Sequence, residues 1–178
     1  MQNESSWQKR FPVLQAVSLC LCLVVAGCTK PDAPSNPEPK AGVTSTGVVK
    51  ATPVAASLAR GESGEAVVQL KIDNGYHVNA NPPSLNYLIA TELEITPAGG
   101  ISVAFITYPN GLTKKFAFSD QALSVYEGAT DLKVRLSAAK TAPIGEHNLS
   151  AKLRVQACDD QVCYAPGTID LTLPVTIR

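Results

Sequence analysis

Methionine is all but missing from this 178-residue chain: the single one is the initiator, so the thioether sulfurs that a copper site would use are not there. Histidine is almost as scarce. His77 and His147 are the only two, neither stands at metal-motif spacing from a cysteine, and no metal or cofactor is expected. A charge excess of either sign is also missing, with fifteen basic residues against fifteen acidic. Setting aside Lys9, Arg10 and Glu4 of the N-terminal leader leaves thirteen against fourteen, which gives no basic footprint and excludes nucleic acid as a partner. No window of eleven or more residues keeps a helical stripe. No Ser-His-Asp or paired-carboxylate pattern qualifies as hydrolytic machinery, which counts against an enzyme built on the Tyr76 to Ser84 loop.

Cysteine is the residue to count, and there are five. Cys20 and Cys22 lie inside an apolar run from Phe11 to Gly27 that follows Lys9 and Arg10 and ends Val25-Ala26-Gly27-Cys28. That run resembles a bacterial lipobox, in which small residues admit the lipoprotein signal peptidase and the thiol of Cys28 is lipidated. A membrane-spanning anchor is the rival reading. Pro12, Gln15 and Ser18 interrupt the run, and it is short against the roughly 20 apolar residues a spanning helix needs. Residues 1–27 are therefore expected to be a lipoprotein signal peptide, and the mature chain to meet the membrane through its N-terminal lipid in an oxidising envelope compartment. Thr29 after the lipidated cysteine resembles outer-membrane rather than inner-membrane sorting. Residues 28–46 read as the lipidated cysteine and a Pro-rich tether, with Lys30-Pro31-Asp32-Ala33-Pro34-Ser35-Asn36-Pro37-Glu38-Pro39-Lys40 offering almost nothing to bury. At about 3.1 Å per residue the tether could hold the following domain up to roughly 55 Å from the lipid.

Residues 47–178 make one domain's worth of sequence, and their periodicity is that of strands. Val68 to Asp73, Leu93 to Ile95 and Leu132 to Leu136 alternate apolar with polar, as do the longer runs Leu149 to Ala157 and Ile169 to Ile177. Turn signals such as Asp73-Asn74-Gly75, Pro109-Asn110-Gly111 and Glu127-Gly128 separate them. The pattern predicts an all-β fold, an immunoglobulin-like antiparallel β-sandwich. Pro174 within the last run predicts an edge strand or a bulge there.

Cys158 and Cys163 remain, in the run Gln156-Ala157-Cys158-Asp159-Asp160-Gln161-Val162-Cys163-Tyr164-Ala165-Pro166. Leu149, Ala151, Leu153, Val155 and Ala157 share the apolar face of their strand, so unbroken alternation turns Cys158 outward. Parity is lost in the turn and does not place Cys163. A crosslink closing about six residues contributes only about 2 kcal/mol in the chain-entropy view, against nearly 5 for a loop of about 100, which argues against a pair chosen mainly for stability. A local structural hairpin disulfide stays open as an alternative. Asp159 and Asp160 sit between the sulfurs, where negative charge disfavours a thiolate; such a dithiol gains little from ionisation and tends to donate electrons. Simple solvation of an exposed turn explains the same two aspartates equally well.

Gly75-Tyr76-His77-Val78-Asn79-Ala80-Asn81-Pro82-Pro83-Ser84, Ala90 to Glu94, Tyr108-Pro109, Val125 to Gly128 and above all Gln156-Ala157-Cys158 through Cys163-Tyr164-Ala165-Pro166 resemble the N-terminal periplasmic domain of the thiol:disulfide interchange protein DsbD. The likeness runs from about residue 48 to 178. It implies an immunoglobulin-like sandwich whose cysteine pair takes electrons from a membrane-embedded thiol reductant and passes them to periplasmic oxidoreductases of thioredoxin fold. It further implies that Cys163 is the attacked sulfur, that Cys158 resolves the mixed disulfide, and that Tyr76, His77, Asn79 and Tyr164 flank the site. An aromatic cap loop is implied as well, with Phe116 or Phe118 as the capping residue; the alternative for both is ordinary strand alternation into the core. A histidine such as His77 is more often an ordinary partly buried strand residue than a proton shuttle. Members of that family have five residues between the cysteines where this chain has four, an aromatic where it has Val162, and Pro-Pro where it has Ala165-Pro166. They also continue into a membrane segment and a thioredoxin-like domain, so this chain is expected to act as a free-standing, lipid-tethered version of the first module. A lipid-anchored binding or adhesion module with an inert disulfide is the other class of function the sequence allows.

Overall fold

The computed structural model describes residues 37–178; the leader, Cys28 and most of the expected tether lie outside the described residues. Twelve strands follow in order: β1 (Val49–Val54), β2 (Ala56–Leu58), β3 (Ser63–Ile72), β4 (His77–Asn79), β5 (Glu92–Ile95), β6 (Ile101–Thr107), β7 (Leu112–Lys114), β8 (Leu123–Tyr126), β9 (Ala129–Ala138), β10 (Gly145–Val155), β11 (Ala157–Cys158) and β12 (Gly167–Ile177). Among the described residues there is no helix. The strands form three sheets of four, in the orders β1-β3-β9-β6, β2-β12-β10-β5 and β11-β4-β8-β7, and every pairing is antiparallel except β2 with β12. This is the immunoglobulin-like β-sandwich that the period-two runs require.

The first two sheets enclose the main core. Val68, Leu70, Leu132, Val134 and Leu136 from one, and Leu149, Leu153, Val155, Leu173 and Val175 from the other, are buried in a single cluster, while Lys133, Arg135, Lys152 and Arg154 between them stay exposed. Each fully buried Leu or Val contributes roughly 1.5–3 kcal/mol through apolar area removed from water. The edge placement expected of Pro174 is not found, since β12 lies between β2 and β10. β2 pairs only with Val175 to Ile177, so the strand is locally an edge at Pro174, where a missing N–H removes no bond on that side.

A second, smaller layer is what places the cysteines. In the third sheet Ala157, Val78 and Tyr126 stand in one row and belong to the main core. The neighbouring rows, Cys158 with His77 and Asn79 with Val125, face the other way, because successive side chains alternate across a strand. That other face is also covered: Phe116, Leu123 and Val125 form a second buried cluster, with Leu85, Leu88 and Phe118 packed against it.

Candidate functional site

Gln156 follows β10 and links it to the third sheet. Its Oε1 accepts from Asn79 Nδ2 and from the Ile89 amide, both at 3.2 Å, and its Nε2 donates to the Tyr164 carbonyl at 3.4 Å. The next two residues, β11, pair with β4, so that Cys158 lies directly opposite His77. On β4's approach, Gly75 takes the left-handed conformation (φ 82°) that a side chain would resist, closing a turn in which the Tyr76 amide donates to the Asp73 carbonyl at 3.1 Å. Tyr76 and His77 follow at once.

Cys158 and Cys163 are joined by a disulfide, with Cα atoms 3.9 Å apart across a tight hairpin. Asp159 holds the loop between them. Its Oδ1 accepts from the Gln161 and Val162 amides, each at 2.9 Å, and its Oδ2 accepts from the Tyr164 hydroxyl at 2.9 Å and from Lys40 Nζ at 3.1 Å. Burial alone would raise this carboxyl's pKa, but the two amides, Lys40 and Tyr164 overcome it and hold the group ionised well below the usual carboxylate range. Burial and the same bond to Asp159 push the Tyr164 phenol up. Solvation therefore does not account for Asp159, which is buried; Asp160 beside it is exposed.

The expectation that Cys158 is exposed is overturned: it is fully buried, whereas Cys163 is partly exposed. Alternation does turn Cys158 away from the main core, but the second cluster covers the face it reaches. His77, equally buried, stacks on Phe116 with ring centroids 4.0 Å apart and planes 16° from parallel. Phe118 stacks in turn on Phe116 at 5.3 Å. Both phenylalanines lie on the loop between β7 and β8, so strand alternation does not account for them. Desolvation lowers the His77 pKa to about 4, and its ring is neutral at neutral pH. Asn79, also buried, donates through Nδ2 to the Ile89 carbonyl at 3.0 Å as well as to Gln156. Tyr76 lies 6.0 Å from Tyr164, centroid to centroid, with Lys40 Nζ 5.5 Å from the Tyr76 ring.

Two participants carry no sequence signal. Ser45 is buried, and its hydroxyl donates to the Ala165 carbonyl at 2.6 Å while accepting from the Ala157 amide at 3.0 Å, bridging the two arms of the disulfide hairpin. Lys40 is the other. The tether, expected to run to Thr46, is thus held to the domain from Lys40 onward, with Val43 packed on the main core. A groove of about 490 Å³ opens beside the hairpin, lined by Tyr76, His77, Leu112, Lys114, Glu127 and Asp160 among others. Among the described residues no three His, Cys, Asp or Glu side chains come together as metal ligands would, and no helix is long and apolar enough to cross a membrane.

An immunoglobulin-like sandwich with a disulfide at the tip of a braced hairpin, one cysteine buried and one partly exposed, defines the class of domain. The chain belongs to the family described as thiol:disulfide interchange protein DsbD, N-terminal, whose model matches residues 46–174. Among solved structures, the N-terminal periplasmic domain of ScsB from Proteus mirabilis is similar at 17% identity and a TM-score of 0.49, covering 70% of this chain and 44% of that one. This chain thus spans less than half of that relative. A PapD-like domain of human CEP192 is similar at 10% identity and a TM-score of 0.32, covering 84% and 98% of the respective chains. No curated protein matches the sequence.

Proposed function

We propose that the domain is a thiol-disulfide exchange relay in the periplasm. A partner's thiolate attacks Cys163 and Cys158 leaves; the resulting mixed disulfide is resolved by the partner's second thiol, leaving both cysteines of this chain reduced and the partner oxidised. The reduced pair then gives two electrons and two protons to the next disulfide: Cys163 attacks it, and Cys158 resolves the mixed disulfide so formed, which restores the disulfide of this chain and leaves the recipient as a dithiol. A membrane-embedded thiol reductant is the source in this reading, and oxidoreductases of thioredoxin fold are the recipients. Lipidation at Cys28 would keep the module near a membrane, the outer one in the Thr29 reading, with residues 1–27 removed. Phe116, with Phe118 behind it, is the candidate cap.

The observation that carries the reading is the difference in burial between Cys163, partly exposed, and Cys158, fully buried. In this reading an incoming sulfur meets Cys163 rather than Cys158. Replacing Cys158 by Ser leaves Cys163 to form a mixed disulfide that cannot be resolved from within, and a thioredoxin-fold protein should be trapped on it in envelope extracts. A reduction potential below about −300 mV together with no trapped partner would instead establish the inert disulfide of a lipid-anchored binding or adhesion module.

A further inference from the structure

Two buried side-chain atoms among the described residues have no hydrogen-bond partner, His77 Nε2 and Asn79 Oδ1, and both belong to the strand that pairs with the cysteine-bearing β11. Buried polar atoms rarely go unsatisfied, and each such orphan costs stability in the state that carries it, so a state that satisfies it is favoured relative to that one. Asn79 has its amide orientation fixed by the bonds from Nδ2 to Ile89 and Gln156, so its oxygen cannot exchange places with the nitrogen. His77 is the more telling of the two. It stands directly opposite Cys158, where cross-strand side chains are roughly 5 Å apart at Cβ, and the stack on Phe116 fixes its ring plane.

In the disulfide form Cys158 has no hydrogen to offer. Reduction breaks the sulfur–sulfur bond and gives each cysteine an S–H, the two hydrogens and two electrons coming from the partner dithiol that becomes a disulfide. The new thiol of Cys158 is shut away from water. Any acceptor for its weak S–H donor then comes from within the protein. We infer that His77 is a positioning residue for the reduced state, its Nε2 accepting a hydrogen bond from the Cys158 thiol once the disulfide opens. Deepening the relay reading on which it rests, this makes the orphan nitrogen a feature of the oxidised form alone, and the bond favours the dithiol. A neutral ring is required, in the tautomer that carries hydrogen on Nδ1, and burial supplies the neutrality.

The test equilibrates the full chain and its variants with glutathione redox buffers and reads the fraction of the Cys158–Cys163 disulfide by peptide mass after thiol alkylation. His77→Phe keeps the stack and removes the acceptor; it should move the equilibrium toward the disulfide by roughly three- to fivefold, the worth of one modest hydrogen bond. His77→Gln retains an acceptor and should recover part of that shift. Nitrogen-15 spectra of the wild-type His77 ring provide a reading that needs no variant: the Nε2 resonance should move on reduction while Nδ1 stays protonated. An equilibrium unchanged in His77→Phe, or an Nε2 resonance identical in the two redox forms, as a buried water bound in both would give, overturns the inference. Trapping on Cys163 in the Cys158→Ser chain does not involve His77. Trapping with no His77 effect therefore removes the hydrogen bond and keeps the relay, and a His77 effect without trapping does the reverse.

Discussion

Lys40 Nζ lies 3.1 Å from Asp159 Oδ2, so the segment that enters the domain is tied to the loop that carries the disulfide. The two partners are unequal. Lys40 keeps 64% of its side chain exposed and can regain water, whereas Asp159 keeps 7% and cannot. Asp159→Asn preserves an oxygen for the Gln161 and Val162 amides but sets an amide NH₂ against Lys40. It should cost about 1–3 kcal/mol in urea unfolding, and Lys40→Ala distinctly less. A larger loss from Lys40→Ala would mean that the charge, rather than the bracing of the hairpin by the carboxylate, is what matters.

Ser45→Ala should strand the Ala157 amide and the Ala165 carbonyl, since the Ser45 hydroxyl serves both. The expected cost is about 1–3 kcal/mol, with the hairpin opening before the rest of the fold. Amide hydrogen exchange resolves the two: protection at Ala157 should fall while that at Leu149 and Leu153, deep in the main core, is kept. Uniform loss at all three would show a global effect instead.

Phe116 and Phe118 are separable by exposure. Phe116 is buried against His77, whereas Phe118 is partly exposed and its ring is 6.5 Å from His77. Phe116→Ala should therefore speed reduction of the disulfide by dithiothreitol several-fold and lower stability by about 3 kcal/mol, toward the lower end for a buried aromatic because the cluster around it is small. Phe118→Ala should change both less. Equal rates in wild type and Phe116→Ala would remove Phe116 from the role of cap.

The strands of the two large sheets were legible because each has one wet face: Leu132-Lys133-Val134-Arg135-Leu136 alternates as β9 does. Parity also told correctly which way Cys158 turns from Ala157. It failed on exposure because alternation reports which face of a sheet a residue joins, and the β7–β8 loop that covers that face is remote in sequence. Ser45 and Lys40 were hidden for the same reason, since their partners lie more than a hundred residues away and a polar, Pro-rich segment looks the same docked or solvated. The family motif marked the cysteines and the flanking Tyr76, His77 and Asn79; burial, the stack and the orphan nitrogen needed coordinates.

His77 should make the domain acid-sensitive in a defined window. Burial is the main reason its pKa falls from 6.5 to about 4, with Glu127 the largest opposing influence and Lys114 adding to the depression. Between those values the unfolded chain binds a proton that the folded one refuses. The histidine's contribution is therefore fully present above about pH 6.5 and is lost as pH falls toward 4; at about 1.4 kcal/mol per pKa unit the loss is roughly 3 kcal/mol. Asp159 adds a second decline of the same sign, because its folded carboxyl lies below its ordinary 3.8 and its contribution fades only at pH lower than that. Urea unfolding of the disulfide form at pH 7, 5.5 and 4.5 separates the two. Wild type should weaken steadily across this series, and His77→Phe should stay nearly level until the carboxylate window opens. A wild-type profile flat from pH 7 to 4.5 would mean that the imidazole takes up its proton in the folded domain as readily as in water, and that the face shared with Cys158 is open to solvent.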